Sequence, residues 1–118
     1  MTSRYELSIA NGTDYDLVIE RESLKWGNYV VAPQTIKKND SGVAVAVESE
    51  RGCWTGLEFS VTWKTPHGSV SLYINIPFSS DNDSSLASNG SLRVEKWSKL
   101  PDSGHVFVQA IDVTDLLP

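Results

Sequence analysis

Two runs of alternating apolar residues, joined by a short turn, constrain this sequence more than any other feature. In each run every second residue is apolar, so a strand would place these side chains on one face. The residues are Phe59, Val61 and Trp63 in the first run, and Val70, Leu72, Ile74 and Ile76 in the second. Between them, Thr65-Pro66-His67-Gly68 has a proline that presets φ for a type I turn and a glycine at its exit. The segment therefore predicts a β-hairpin with one buried face.

The rest of the chain shows the same alternation and no sustained helical spacing. Further strands are predicted at residues 5–9, 15–19, 24–31 (interrupted at Gly27), 43–47, 92–98 and 105–113. In residues 43–47 valine alternates with alanine, so both faces of that strand are predicted to be covered. Residues 79–91, rich in Ser, Asn and Asp, are predicted to form a polar loop. Seven to nine short strands in 118 residues predict an all-β fold, a single antiparallel β-sandwich or small barrel covering residues 1–118.

The charge balance argues against two classes of partner. The sequence has 10 Lys and Arg against 15 Asp and Glu, a net charge of −5. Nucleic-acid binding requires a cationic surface that neutralises phosphates, and the sequence contains none. The same charge balance argues against attachment to anionic lipid through a basic patch. Any contact with a membrane would rely on aromatic residues and on hydrogen bonds to neutral or zwitterionic headgroups.

The sequence also indicates where the protein is made. Cys53 is the single cysteine, so an intrachain disulfide is excluded. The N-terminal residues lack the apolar core of a signal peptide, and no apolar stretch has the length of a transmembrane helix. We therefore expect synthesis in the cytoplasm.

A search for catalytic groups finds little. His67 lies at the tip of the predicted turn and His105 begins the last strand, and neither has a second histidine or cysteine at zinc-ligand spacing. Cys53 is more typical of a buried thiol than of a nucleophile. There is no Gly-x-Ser-x-Gly elbow and no phosphate-binding glycine loop. We expect no catalysis, no metal and no cofactor.

Aromatic residues outside the predicted strand cores are the strongest sign of function. A single such residue is more typical of a cap over the core, but several together favour a binding end of the sandwich. In residues 92–98, Trp97 shares parity with Arg93 and Glu95, so it is predicted to lie on the polar side of its strand. The candidate binding residues are Trp26, Tyr29, Trp54, Phe78 and Trp97.

Three motifs, RYELSIANGT (4–13), SLKWG (23–27) and LYINIPF (72–78), spread a likeness over nearly the whole sequence. With them the sequence resembles the aegerolysin family, and RYELSIANGT resembles that family's opening strand and its Asn-containing turn. SLKWG (23–27) resembles its Ser-Trp-Gly-type motif, and LYINIPF (72–78) its aromatic strand ending in Asn/Asp-x-Pro-aromatic. Residues 48–59 stand where the family has a glycine-rich segment, with one glycine replaced. The likeness is to the small aegerolysin-type component of bacterial two-component insecticidal crystal toxins.

The resemblance implies a non-enzymatic β-sandwich that binds membrane lipid, sphingolipid included, or a target-cell surface. It also implies a larger pore-forming protein as partner, and release or deposition as an inclusion with action at target-cell membranes. It points to Trp26 and Phe78 as binding residues. Two alternatives remain open from the residues themselves. One is a sugar-binding lectin that uses loop aromatics beside Asn28, Asn75 and Asp81. The other is a self-assembling crystal-inclusion protein. The oligomeric state is left open.

Overall fold

Alternating sequences become strands that bury every second side chain. In a computed structural model, which describes residues 2–50 and 55–117, nine strands form two sheets. Along the first strand Tyr5, Leu7 and Ile9 are fully buried, while the residues between them are half-buried. The strands are β1 (Arg4–Asn11), β2 (Val18–Trp26), β3 (Asn28–Val31), β4 (Ser41–Glu48), β5 (Leu57–Thr65), β6 (Gly68–Ile76), β7 (Asp83–Ser88), β8 (Leu92–Glu95) and β9 (Val106–Asp115).

The two sheets pack face to face around one apolar core. One sheet has the order β3-β4-β1-β9-β8 and the other β2-β5-β6-β7. Every pairing is antiparallel except that of β1 with β9, which is parallel. The predicted all-β sandwich is confirmed. Among residues 2–50 and 55–117, no helix is long and apolar enough to cross a membrane.

The predicted hairpin is confirmed as β5 and β6. Thr65 pairs with Gly68 across the turn, and Phe59 pairs with Ile74 on the core face. Trp63 is completely buried, and its indole Nε1 donates a 2.9 Å hydrogen bond to the Gln34 carbonyl. The predicted double-sided burial of residues 43–47 holds for residues 44–47, which are all buried.

The interruption predicted at Gly27 is a crossing between the sheets. β2 ends at Trp26 in the four-stranded sheet, and β3 begins at Asn28 in the other. Gly27 has φ +105°, a conformation that L side chains rarely adopt. A Cβ on Gly27 would lie 2.7 Å from the Glu48 carbonyl oxygen. This glycine therefore fixes the position of Trp26.

Three predictions about local structure are wrong. Residues 79–91 are not one polar loop, because β7 pairs along β6 from Val70↔Ser88 to Asn75↔Asp83. The strand predicted at residues 15–19 begins only at Val18 and continues to Trp26, whereas Leu17 forms an isolated bridge with Ile36. Trp97 does not lie on a polar strand face: β8 ends at Glu95, Lys96 has φ 70°, and Trp97 packs against the core.

The two ends of the sandwich carry different residues. At one end, called the tryptophan end, β2 ends at Trp26, β6 ends at Ile76, and β1, β7 and β9 begin. At the opposite end, called the hairpin-turn end, Pro66 and His67 form the β5–β6 turn. His67 there contacts Asp115, the last residue of β9.

Candidate functional site

The side chain of Trp26 is turned outward by a bulge. In the β2–β5 pairing the register shifts between Leu24 and Trp26, so that Leu24 lies opposite Phe59 and Trp26 lies opposite Glu58. Phe59 faces the core, whereas Glu58 lies on the outer face of the sheet, and residues that pair across strands share a face. Trp26 is consequently 44% exposed.

Trp26 begins a row of polar side chains across the end of the sheet. Glu58 pairs with Asn75 on β6, and Asn75 pairs with Asp83 on β7. We call Trp26, Glu58, Asn75 and Asp83 the outer row. Cross-strand neighbours are about 5 Å apart, so the row presents one aromatic ring beside closely spaced hydrogen-bonding groups.

Neighbouring residues partly neutralise the carboxylates of the outer row. Lys25 Nζ lies 3.9 Å from Glu58 Oε1, and the Tyr73 hydroxyl donates a 2.8 Å hydrogen bond to Glu58 Oε2. Burial, followed in size by the hydrogen bond to Glu58, raises the pKa of Tyr73 to about 12. Lys99 Nζ is 3.8 Å from Asp83 Oδ1. Tyr73 therefore stays a donor at every physiological pH.

Phe78 lies at the same end, where the chain leaves β6. It is 42% exposed and lines a groove of about 200 Å³ between residues 77–82 and 102–105. Buried Asn82 joins the two walls, because its Nδ2 donates to the carbonyls of Pro101 (3.1 Å) and Gly104 (3.0 Å). The groove is thus held by hydrogen bonds within the protein, and Phe78 stands at its rim.

The other candidate binding residues are placed differently. Tyr29 lies on β3 near the tryptophan end, but its ring packs against the core. Its buried hydroxyl makes no hydrogen bond of standard geometry with a described residue, and burial, together with the nearby Glu22 carboxylate, raises its pKa to about 12. Trp97 follows β8 and packs on the core midway along β9, since Ser98 accepts a hydrogen bond from Gln109. Trp54, like Cys53, lies outside the described residues.

The hairpin-turn end contains a Ser, a His and an Asp without a catalytic arrangement. Ser91 Oγ donates to Asp115 Oδ1 (2.6 Å), and His67 Nδ1 contacts the other oxygen, Oδ2. The carboxylate separates the hydroxyl from the imidazole, whereas a nucleophilic triad requires hydroxyl and imidazole in direct contact. The hydrogen bond from Ser91 and the Leu117 N–H hold the pKa of Asp115 below its ordinary value. Within the described part of the chain, no group of three or more His, Cys, Asp or Glu side chains could hold a metal ion.

Comparison with solved structures identifies the fold. No protein-family model and no curated protein matches the sequence. The structure is similar to IP-1A from Alcaligenes faecalis, with a TM-score of 0.79 at 18% identity, covering 97% of this chain and 91% of that one. It is also similar to the lipid-binding protein Nakanori, with a TM-score of 0.65 at 10% identity, covering 95% of this chain and 70% of that one.

The fold is of the aegerolysin type. The resemblance read from the sequence is confirmed at this level. In this aegerolysin-type sandwich, Trp26 and Phe78 come to one end, whereas Tyr29 and Trp97 are half-buried against the core.

Sequence reasoning missed Glu58 and Asp83 as members of the outer row. The Glu58↔Asn75 pair could have been found, because a two-residue turn at Pro66 and His67 fixes the whole hairpin register. The position of Trp26 in the outer row could not have been found from the sequence, because it depends on a bulge in β2. Asp83 could not be predicted either, because the Ser, Asn and Asp of residues 79–91 are typical of a loop, whereas Asp83 begins β7.

Proposed function

We propose that this protein is a non-enzymatic module that binds membrane lipid through its tryptophan end. One observation carries the proposal: Trp26 and Phe78, both large and both more than two-fifths exposed, occur at the same end beside a row of hydrogen-bonding groups. Exposed aromatics at the tip of a rigid sandwich are suited to the headgroup boundary, where apolar rings enter and polar atoms stay hydrated.

The outer row favours zwitterionic or neutral headgroups. Glu58 and Asp83 are acceptors for an ammonium or hydroxyl group, and the single hydroxyl hydrogen of Tyr73 is donated to one oxygen of Glu58. The net charge of −5 repels anionic lipid. The likeness in fold to Nakanori, a lipid-binding protein, supports the same assignment.

We further propose that the module acts with a larger pore-forming protein in a cytolytic system. The support is the resemblance of the sequence to the small component of two-component toxins. On this proposal, the purified protein binds vesicles and leaves them sealed. Dye release from vesicles by the protein alone would contradict it.

Co-sedimentation with liposomes tests the lipid site. We expect wild type to pellet with phosphatidylcholine vesicles that contain sphingomyelin, and less when phosphatidylserine is added. Trp26→Ala and Phe78→Ala should each weaken binding about tenfold, because each removes an apolar side chain worth roughly 1.5–3 kcal/mol when buried. Tyr15→Ala is the matched control, since Tyr15 is 38% exposed at the hairpin-turn end.

Two results would count against the lipid site. The first is equal binding by wild type and by the folded double variant Trp26→Ala/Phe78→Ala. The second is loss of binding in Tyr15→Ala with Trp26→Ala unaffected. Either result would show that the tryptophan end is not the lipid-binding site.

A sugar-binding role is a second candidate, favoured by Asn75 lying in the outer row with Trp26. A tryptophan face beside Asn, Asp and Glu side chains can stack on a sugar ring and bind its hydroxyl groups. Asn28 and Asp81 are exposed near the same end. Binding to immobilised glycans that is lost in Asn75→Ala, without any binding to lipid vesicles, would favour this role.

A further inference from the structure

The first half of β9 has an open hydrogen-bonding edge. Arg4 N donates to the His105 carbonyl and Gly12 N donates to the Val113 carbonyl, both at 2.8 Å. In a parallel pair, alternate residues direct their N–H and C=O groups toward the partner strand. The backbone groups of the odd-numbered residues of β9 therefore bond to β1. Val106, Val108 and Ala110 direct their N–H and C=O groups away from β1, toward the outer edge of β9.

No strand pairs with that outward side over residues 106–110, and Ser98 beside it accepts a hydrogen bond from the side chain of Gln109 only. β8 pairs with β9 only from Asp112, opposite Glu95, to Asp115. In the described residues, no backbone or side-chain group bonds to the outward groups of Val106, Val108 or Ala110. Their side chains are exposed as well, with Val106 at 63% and Val108 at 67%. Residues 106–110 are therefore largely apolar, and on the side away from β1 they have no partner strand.

The remaining sheet edges carry the features that prevent association between edges. β2 has Glu20, Arg21, Glu22 and Lys25 and two register shifts. β3 is short and bulged, β7 is polar, and β8 carries charged side chains. Natural proteins protect edge strands with such charges, bulges and short lengths. Residues 106–110 have no charge, no proline and no bulge.

We propose that residues 106–110 pair with the same residues of a second copy of this chain, antiparallel about a two-fold axis at Val108. Val108 would lie opposite the second copy's Val108, and Val106 opposite the second copy's Ala110. The outward residues of both strands would form hydrogen-bonded pairs, each exchanging two backbone bonds. The exposed valines would meet on one face, and no like charges would face each other, so the segment is complementary to itself.

Disulfide trapping tests the register of this pairing. In a Cys53→Ser background, Val108→Cys should form a covalent dimer under mild oxidation. Hydrogen-bonded antiparallel pairs have Cα atoms about 5.5 Å apart, within the range of a disulfide. Val106→Cys alone should trap little, whereas an equal mixture of Val106→Cys and Ala110→Cys should trap well. Val30→Cys is the control, because Val30 is 47% exposed on the far edge strand.

Sedimentation velocity tests association without crosslinking. Wild type, of mass 13.0 kDa, should shift toward twice that mass as concentration rises. Val108→Lys should stay monomeric, and Val30→Lys should behave as wild type, with circular dichroism confirming that both are folded. A wild type that stays monomeric at every concentration measured would overturn the proposal. Equal trapping at positions 106 and 108 would overturn the register.

Discussion

Leu24 and Trp26 are two positions apart, and in an unbroken strand they would share one face. The bulge between them leaves Leu24 packed against the core and turns Trp26 outward. Parity alone would thus bury the tryptophan that the proposed function depends on. The sequence indicated exposure only through Gly27, which interrupts the strand.

Trp63 shows the opposite situation, a tryptophan that is wholly structural. Trp63→Phe removes the indole N–H that bonds to the Gln34 carbonyl and leaves that carbonyl without its donor. We expect a loss of about 1–3 kcal/mol in the free energy of unfolding, measured by urea denaturation. Trp26→Phe, the same change at an exposed site, should cost less than about 0.5 kcal/mol. Equal losses in the two variants would contradict this assignment.

Asp115 makes stability depend on pH at the hairpin-turn end. The Ser91 hydroxyl and the Leu117 N–H lower its pKa from 3.8, so the carboxylate binds fewer protons in the folded than in the unfolded protein. A lowered folded pKa gives stability that is present above about pH 4 and is lost as pH falls through the folded pKa. Asp115→Asn should therefore be less stable than wild type at pH 7.

The difference between wild type and Asp115→Asn should shrink as pH falls below about 4 and Asp115 becomes protonated. Urea unfolding at pH 7, 4 and 2 measures it. A gap that stays constant across this range would show that the role of Asp115 is independent of its charge. Ser91→Ala should show the same pH trend with a smaller effect, since it removes one hydrogen bond and keeps the carboxylate.

At the scale of elements, Gly27 joins the two sheets and holds Trp26 at the end of β2. Gly27→Ala would place a Cβ 2.7 Å from the Glu48 carbonyl oxygen, on a backbone at φ +105°. We expect a loss of about 1–3 kcal/mol in the free energy of unfolding, together with weaker binding to vesicles. Gly42→Ala is the matched control, because a Cβ there meets nothing within 4 Å. Unchanged stability in Gly27→Ala would contradict the strain assigned to this position.

The strands differ in how well the sequence predicts them. The β5–β6 hairpin was predictable because its alternation and its turn agree. β7 was not, because its Ser and Asp side chains favour loops, and it is a strand only through pairing with β6 and the packing of Leu86 on the core. Trp97 was misplaced since the parity rule fails once Lys96, at φ 70°, ends the strand. Tertiary contacts decided both cases.

For the whole molecule, the arrangement of the two ends decides what can meet a membrane. β6 has nine residues and spans about 30 Å, so the hairpin-turn end lies far from a bilayer contacted by the tryptophan end. The aromatic pair and the outer row are at one end, and the His67–Asp115 contact is at the other. The fold and the candidate binding aromatics could be predicted from the sequence. Only the three-dimensional arrangement shows that Trp26 and Phe78 lie at the same end.

The most direct measurement places an environment-sensitive fluorophore at each end of the sandwich. In a Cys53→Ser background, the label is attached to Ser79→Cys beside Phe78, or to Asp14→Cys at the hairpin-turn end. With vesicles of phosphatidylcholine and sphingomyelin, we expect a blue shift at position 79 and none at position 14. A shift at position 14 would contradict it, as would no shift at either position while the vesicles still pellet the protein.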